Sequence, residues 1–202
     1  MTSTAVVERA QAQGTALDAG SVTTWTVDPV HSHVEFAVKH LMISTVKGRF
    51  ADVEGTVVID EANPANSRVE AKIAAASVDT REPQRDGHLR SADFFDAETH
   101  PYLTFVSTRV EPKGDDEFVA YGDLTIRGVT RTVALEGEYS GRNKSPFGTT
   151  VAGFSAKTKI NRKDYGLNWN AALETGGVLV GDEVKINLEV EVVQQAAEQQ
   201  AA

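Results

Sequence analysis

The strongest constraint on what this chain can fold into is an alternation of period two. Apolar Val184, Ile186, Leu188, Val190 and Val192 alternate with polar Lys185, Asn187, Glu189 and Glu191. A segment of this kind is an extended strand with one dry and one wet face. The rhythm recurs in Val69-Ala71-Ile73-Ala75 and in Phe118-Ala120-Gly122-Leu124-Ile126. It returns less cleanly near Val34–Lys39, Val53–Ile59, Leu103–Val110, Val133–Tyr139 and Val151–Ile160. About eight strands are therefore predicted, separated by turn signals at Asn63-Pro64, Pro112-Lys113-Gly114, Arg127-Gly128 and Gly176-Gly177. One stretch, Gln84 to Phe95, lacks the alternation and holds good helix formers, which predicts a short helix. Asn161 to Gly177 is expected to be a long excursion between the last two strands.

Many one-sided strands without a βαβ rhythm call for an antiparallel sheet that hides its apolar face by closing on itself. The predicted architecture is all-β: a single antiparallel eight-stranded barrel with one short helix between strands. A closed barrel of that size has room for one small ligand at most. The expected inner rows include several small residues, Ala71, Ala75, Ala120, Gly122, Gly137 and Ala156. Two readings of these stay open: they leave an empty lumen, or they fit larger neighbours into the taper of a solid barrel. With 202 residues, one domain is expected over 25–193, between tails at 1–24 and 194–202 that lack a periodic face.

Lys and Arg total 20 against 29 Asp and Glu, a net charge of −9, which argues against a general binder of nucleic acid. The absence of cysteine removes disulfides, thiolate nucleophiles and sulfur-ligated metal sites. The longest apolar run in the first twenty residues is Ala5-Val6-Val7, too short for an export signal, so a cytoplasmic location is expected.

Phosphate loops, dinucleotide fingerprints, zinc-protease helices and nucleophile elbows are missing. Ser44-Thr45-Val46-Lys47 matches a bare S-x-x-K pattern without that motif's partners. Two histidines, His31 and His33, stand two apart on an expected strand and so share a face, with Glu35 next. They could hold a metal if His40, His88 or His100 converged on them, or they could be hydrogen-bonded polar residues at a barrel rim. The first alternative would make the chain a metal-dependent enzyme or metal-binding protein acting at the barrel mouth. Arg162 and Asp164 directly follow an expected strand and could receive a polar headgroup, or pair to hold a loop. Arg85, Asp86, His88 and Arg90 invite the same two readings, a lid over the opening or a tether of the helix to the wall.

Several ordered motifs carry a resemblance to a known family. They are Asp28-Pro29-Val30-His31-Ser32-His33-Val34-Glu35-Phe36, Gly48-Arg49-Phe50, Arg85-Asp86-Gly87-His88-Leu89-Arg90-Ser91-Ala92-Asp93-Phe94-Phe95, and His100-Pro101-Tyr102-Leu103-Thr104-Phe105. Later come Gly122-Asp123-Leu124-Thr125-Ile126-Arg127-Gly128, Asn161-Arg162-Lys163-Asp164-Tyr165-Gly166-Leu167 and Val180-Gly181-Asp182-Glu183-Val184. Over nearly all of 25–193 the chain resembles the YceI-like family, lipocalin-like barrels associated with binding polyisoprenoid lipids. The resemblance implies a lipocalin-like barrel without established catalysis or cofactor, a possible homodimer, and an isoprenoid lipid such as a polyprenyl carrier or quinone as ligand, with transient membrane contact. The lumen is then expected to be lined by Phe36, Val38, Val57, Ile59, Ile73, Leu103, Phe105, Leu124, Ile126, Leu135, Phe154 and Ile160. The headgroup is expected at the mouth, near His31, His33, His88, Arg162 and Asp164.

Overall fold

A computed structural model describes residues 22–172 and 177–196. The expected tails fall outside it except at their inner edges, as do positions 173–176 of the excursion. The barrel reaches slightly beyond the expected limits, because the first strand opens at Val22 and the last ends at Gln194.

Eleven hydrogen-bonded segments form one closed antiparallel sheet. In chain order they are β1 (Val22–Val27), β2 (His33–His40), β3 (Ser44–Phe50), β4 (Val53–Asp60), β5 (Arg68–Ala74), β6 (Val78–Asp79), β7 (Tyr102–Pro112), β8 (Glu117–Ile126), β9 (Val129–Lys144), β10 (Thr150–Asn161) and β11 (Val180–Gln194). They amount to eight strands. β1 and β2 lie end to end along β11, pairing Val27 with Val192 and His33 with Glu189. β3 and β4 lie end to end along that composite strand, and β5 and β6 along the next. Each of the eight then pairs with its neighbours in sequence, and the pairing of β1 with β11 closes the ring. The ladder shifts register at Ser107/Arg109 and at Gly153/Phe154, where extra residues let the long strands β7 to β10 coil around the axis.

The alternation read from sequence sets the faces. On β11, Val184, Ile186, Leu188 and Val190 point inward and Val192 is fully buried, while Lys185, Asn187 and Glu189 are exposed. Wet outside and dry inside is the reverse of a membrane-spanning barrel. No helix among the described residues is long and apolar enough to cross a membrane.

Of the small inner residues, Gly122 and Gly137 are covered by rings, whereas Ala71 borders open space. The ring of Phe36 lies over Gly48, that of Phe105 over Gly122 and that of Phe118 over Gly137, and a Cβ at any of the three would collide with the ring. Each pair joins neighbouring strands: Phe36 is opposite Gly48 and Phe118 opposite Gly137 in the ladder. An inward glycine thus seats a ring from the next strand against the wall, the large-against-small fit of a tapering barrel.

The helix α1 (Pro83–Arg90) spans the gap between β6 and β7. Pro83 presets its first turn, and the Glu82 carboxylate caps it by accepting from the Gln84 amide at 3.0 Å. The helix ends at Arg90, five residues short of the expected stretch's limit, and Phe94 and Phe95 follow in turns. α1 has no apolar stripe, and polar bonds fix it. Buried Asp86 accepts from the Thr80 amide at 2.9 Å and its hydroxyl at 2.5 Å. Arg85 donates to the Thr80 hydroxyl and carbonyl, and Arg90 to the carbonyls of Ala76 and Val78. Of the two readings of these charges, the geometry is that of a tether.

Candidate functional site

Two packed layers divide the interior. The lower one centres on Trp25, Val57, Ala152 and Val192, with Ile59, Tyr139 and Phe154 against them, and it stoppers the end where β1 begins and β11 ends. The upper one is larger and carries Phe50, Leu103, Phe105, Leu124, Ile126, Tyr165 and Leu167. Within the upper layer, above the lower one, runs a cavity of about 230 Å³, from Val57, Val69 and Val190 at its floor to Leu89, Phe94, Phe95 and Leu167 at its top. Ten of the twelve expected lumen residues line it; Ile59 and Phe154 belong instead to the stopper. Phe50, Phe95 and the β11 row Val184, Ile186 and Leu188 line it as well, beyond the expected set. The β11 row was visible as alternation, and its place on the wall follows from that alone.

Four connections meet at the upper end, the mouth. They are the β2–β3 turn at Leu41 to Ile43, α1 with the turns after it, the β8–β9 turn at Arg127 and Gly128, and the β10–β11 excursion. The Arg127 guanidinium donates to the Gly166 carbonyl at 3.1 Å, and the Leu41 amide to that of Leu179 at 2.9 Å. Of the non-glycine residues with positive φ among those described, Leu41, Met42, Asp96 and Arg127 lie in these connections and Arg81 just before α1. Such backbone costs roughly 1–2 kcal/mol per residue, and it collects where the fold is built for something other than stability.

His88 sits at this mouth. Its ring meets Phe94 edge-on at 5.0 Å and Trp169 at 4.6 Å, and its Nε2 lies 2.9 Å from an Asp93 carboxylate oxygen. It therefore joins the turns after α1 to the β10–β11 excursion. Arg162 also lies at the mouth, but not as a headgroup receptor. It is only 4% exposed, and all five of its N–H groups are engaged. Nε donates to the Gly181 carbonyl at 2.9 Å, and Nη1 to those of Leu167 and Trp169 at 2.5 and 2.9 Å. Nη2 reaches the Val180 carbonyl at 3.3 Å and Asp182 at 3.4 Å. Asp164, its expected partner, is exposed and does not pair with it. Another buried polar group here, at Tyr165, is one the sequence reading passed over. Tyr165 is 1% exposed, lines the cavity, and has a buried hydroxyl without a hydrogen-bond partner among the described residues. Burial pushes that phenol up to about 12, so it remains a donor at every physiological pH.

His31 and His33 are not at the mouth. They stand on the outer wall where β1 breaks into β2, both exposed, and His33 is seven residues from the mouth end of its strand, roughly 20 Å. The imidazole of His31 faces two carboxylates, Asp28 at 2.8 Å and Glu191 at 3.7 Å. These three form the group of potential metal ligands within 4.8 Å among the described residues, and neither His33 nor Glu35 belongs to it. A metal held there would lie outside the barrel, away from anything in the lumen.

The hydrogen bond that His31 donates to Asp28 raises His31 above its ordinary value, helped by the charge of Glu191, and the same bond lowers Asp28. The raised histidine contributes stability below its unfolded value of about 6.5, and that contribution fades as pH rises through the folded value. The lowered carboxylate contributes above its unfolded value of 3.8 and loses this as pH falls. Wild type is therefore expected to exceed His31→Gln in melting temperature most at about pH 5–6, with the gap closing above about pH 8. A gap independent of pH in thermal melts would refute this pairing.

Comparison with known proteins agrees with the fold. A family model described as the YceI-like domain matches residues 25–192. The UPF0312 protein SERP2314 of Staphylococcus epidermidis is 40% identical over 171 residues, 84% of this chain and 97% of that protein. The crystal structure of Burkholderia cenocepacia BcnA superposes with a TM-score of 0.72 at 27% identity, covering 82% of this chain and 98% of BcnA. A polyisoprenoid binding domain from Saccharophagus degradans, implicated in plant cell wall breakdown, has the same fold, with a TM-score of 0.66 at 17% identity over 86% and 99% of the two chains.

Proposed function

The chain belongs to the YceI-like domain family, and from that premise we propose that it is a binding protein that encloses part of an isoprenoid chain, of a polyprenyl lipid or a quinone, for transport, storage or sequestration. The observation that carries this reading is the stoppered cavity whose wall, from Val57 to Phe95, is almost wholly hydrocarbon and aromatic. A structural relative described as polyisoprenoid binding supports it. So does the chemistry of the wall: its cation, Arg162, is fully engaged, and the phenol of Tyr165 stays protonated.

At about 230 Å³ the cavity lies below the roughly 300–1,000 Å³ of ordinary ligand pockets. A short prenyl stretch fits, and the rest of a longer tail leaves through the mouth. Each five-carbon unit gains about 3–4 kcal/mol on leaving water. Such lipids start in a membrane, already dry, so net binding is small and loading is reversible.

The test is solvent extraction of the purified protein with mass spectrometry of the extract, together with uptake of a fluorescent prenyl probe from detergent. Wild type is expected to yield a prenyl lipid and to load the probe. Leu135→Trp, which fills the cavity from β9, is expected to load at least about tenfold less while still folding, because overpacking a core costs only about 1–3 kcal/mol. Empty extracts with no uptake, or equal uptake by both proteins, would overturn the proposal.

A further inference from the structure

The turn between β2 and β3 is at odds with its sequence. Leu41 and Met42 occupy consecutive left-handed positions, with φ of 53° and 62°, in a hairpin geometry that favours Asn-Gly. The equivalent β8–β9 turn at least places Gly128 at its second position. The strained backbone also leaves apolar side chains in water, Met42 at 58% and Ile43 at 82% exposure, beside Val178 at 37%. This tip continues the cavity wall, since Val38 and Val180 line the lumen directly beneath it.

A second, independent feature lies on the outer face below the tip. Ala37 of β2 is opposite Lys47 on β3 and Lys185 on β11, and Lys39 is next on the same face. All three lysines are exposed and without an ion-pair partner among the described residues, although the chain carries a net charge of −9. The nearest acid on β11, Glu183, lies 4.0 Å from Lys159. Exposed apolar residues backed by unpaired cations suit a bilayer with anionic headgroups, the apolar part entering the acyl boundary and the lysines meeting the surface.

We infer that Leu41 to Ile43 and the lysines behind them form a docking surface for an anionic phospholipid bilayer, which holds the barrel mouth against the membrane from which ligand is drawn. The inference rests on the carrier reading for its purpose, but its test does not. The test is co-sedimentation with vesicles of phosphatidylcholine alone and of equal parts phosphatidylcholine and phosphatidylglycerol. Wild type is expected to bind the mixed vesicles about tenfold more tightly, and less so as salt rises. Met42→Ser/Ile43→Ser and Lys39→Glu/Lys47→Glu are each expected to lose about tenfold on the mixed vesicles. Leu41→Asn/Met42→Gly suits the turn, so it is expected to melt at or above wild type and still bind weakly, which separates docking from folding. All three variants should load the prenyl probe from detergent like wild type; failure of wild type itself to load would count against the carrier reading alone. Equal binding to both vesicle types, wild-type binding by the variants, or no vesicle binding at all, as for a surface meant for another protein, would overturn the docking surface.

Discussion

Replacing Arg162 by methionine is expected to destabilise the barrel by about 3–5 kcal/mol, because it strands several buried acceptors at once. The guanidinium lies inside the mouth and ties the carbonyls of Leu167, Trp169, Val180 and Gly181 together, four points along the β10–β11 excursion and the start of β11. Methionine matches the length but donates nothing, so these carbonyls lose a charged partner without regaining water. In urea the midpoint should fall at nearly unchanged slope, and the melting temperature should drop by on the order of 10 °C. Arg162→Lys should recover less than half, since one ammonium cannot reproduce a planar five-donor fork. A loss below about 1 kcal/mol for the methionine variant would show that the excursion holds itself together without the arginine.

Trp25→Ala is expected to cost a similar amount, about 3–5 kcal/mol, for an apolar reason. Trp25 is 1% exposed and packs against Val57, Ala152 and Val192, so it joins the first, fourth, tenth and last strands at the end where the ring closes. Its indole N–H donates to the Thr23 hydroxyl at 2.8 Å, which leaves no polar atom of the ring unpaired. Alanine would leave a void below the floor of the cavity, and denaturant titration should show the full loss. The contrast is Val106→Ala, on the outer face of β7 and 46% exposed, which should stay within about 0.5 kcal/mol of wild type. Similar losses for the two would mean that the lower layer is not the stopper its packing indicates.

Much of this was legible in the residues, and the limits of the legible part have physical causes. Alternation assigned side chains to a face correctly along Val184 to Val192, because a pleated strand allows only two directions. It could not assign height along the barrel axis. Ile59 and Phe154 were therefore placed on the correct inner face and in the wrong layer. The seating of Phe105 on Gly122 and of Phe118 on Gly137 needs the cross-strand register, which is a property of the assembled sheet. The tie between His31 and Glu191 joins the first strand to the last, and no local pattern announces it. Nor could any pattern distinguish an arginine that awaits a ligand from one whose donors are all consumed by carbonyls.

The order of residues alone determined that this chain forms one-sided antiparallel strands that must close to keep their dry faces from water, since side-chain direction and hydrophobicity are local properties. Only the tertiary structure decided where the cavity stops and which polar groups remain free beside it. Trp25 stoppers one end, Arg162 is spent on holding the mouth, and the Tyr165 hydroxyl is left without a partner. Those outcomes depend on which distant atoms meet in three dimensions, and that is settled by the register and coiling of the closed sheet.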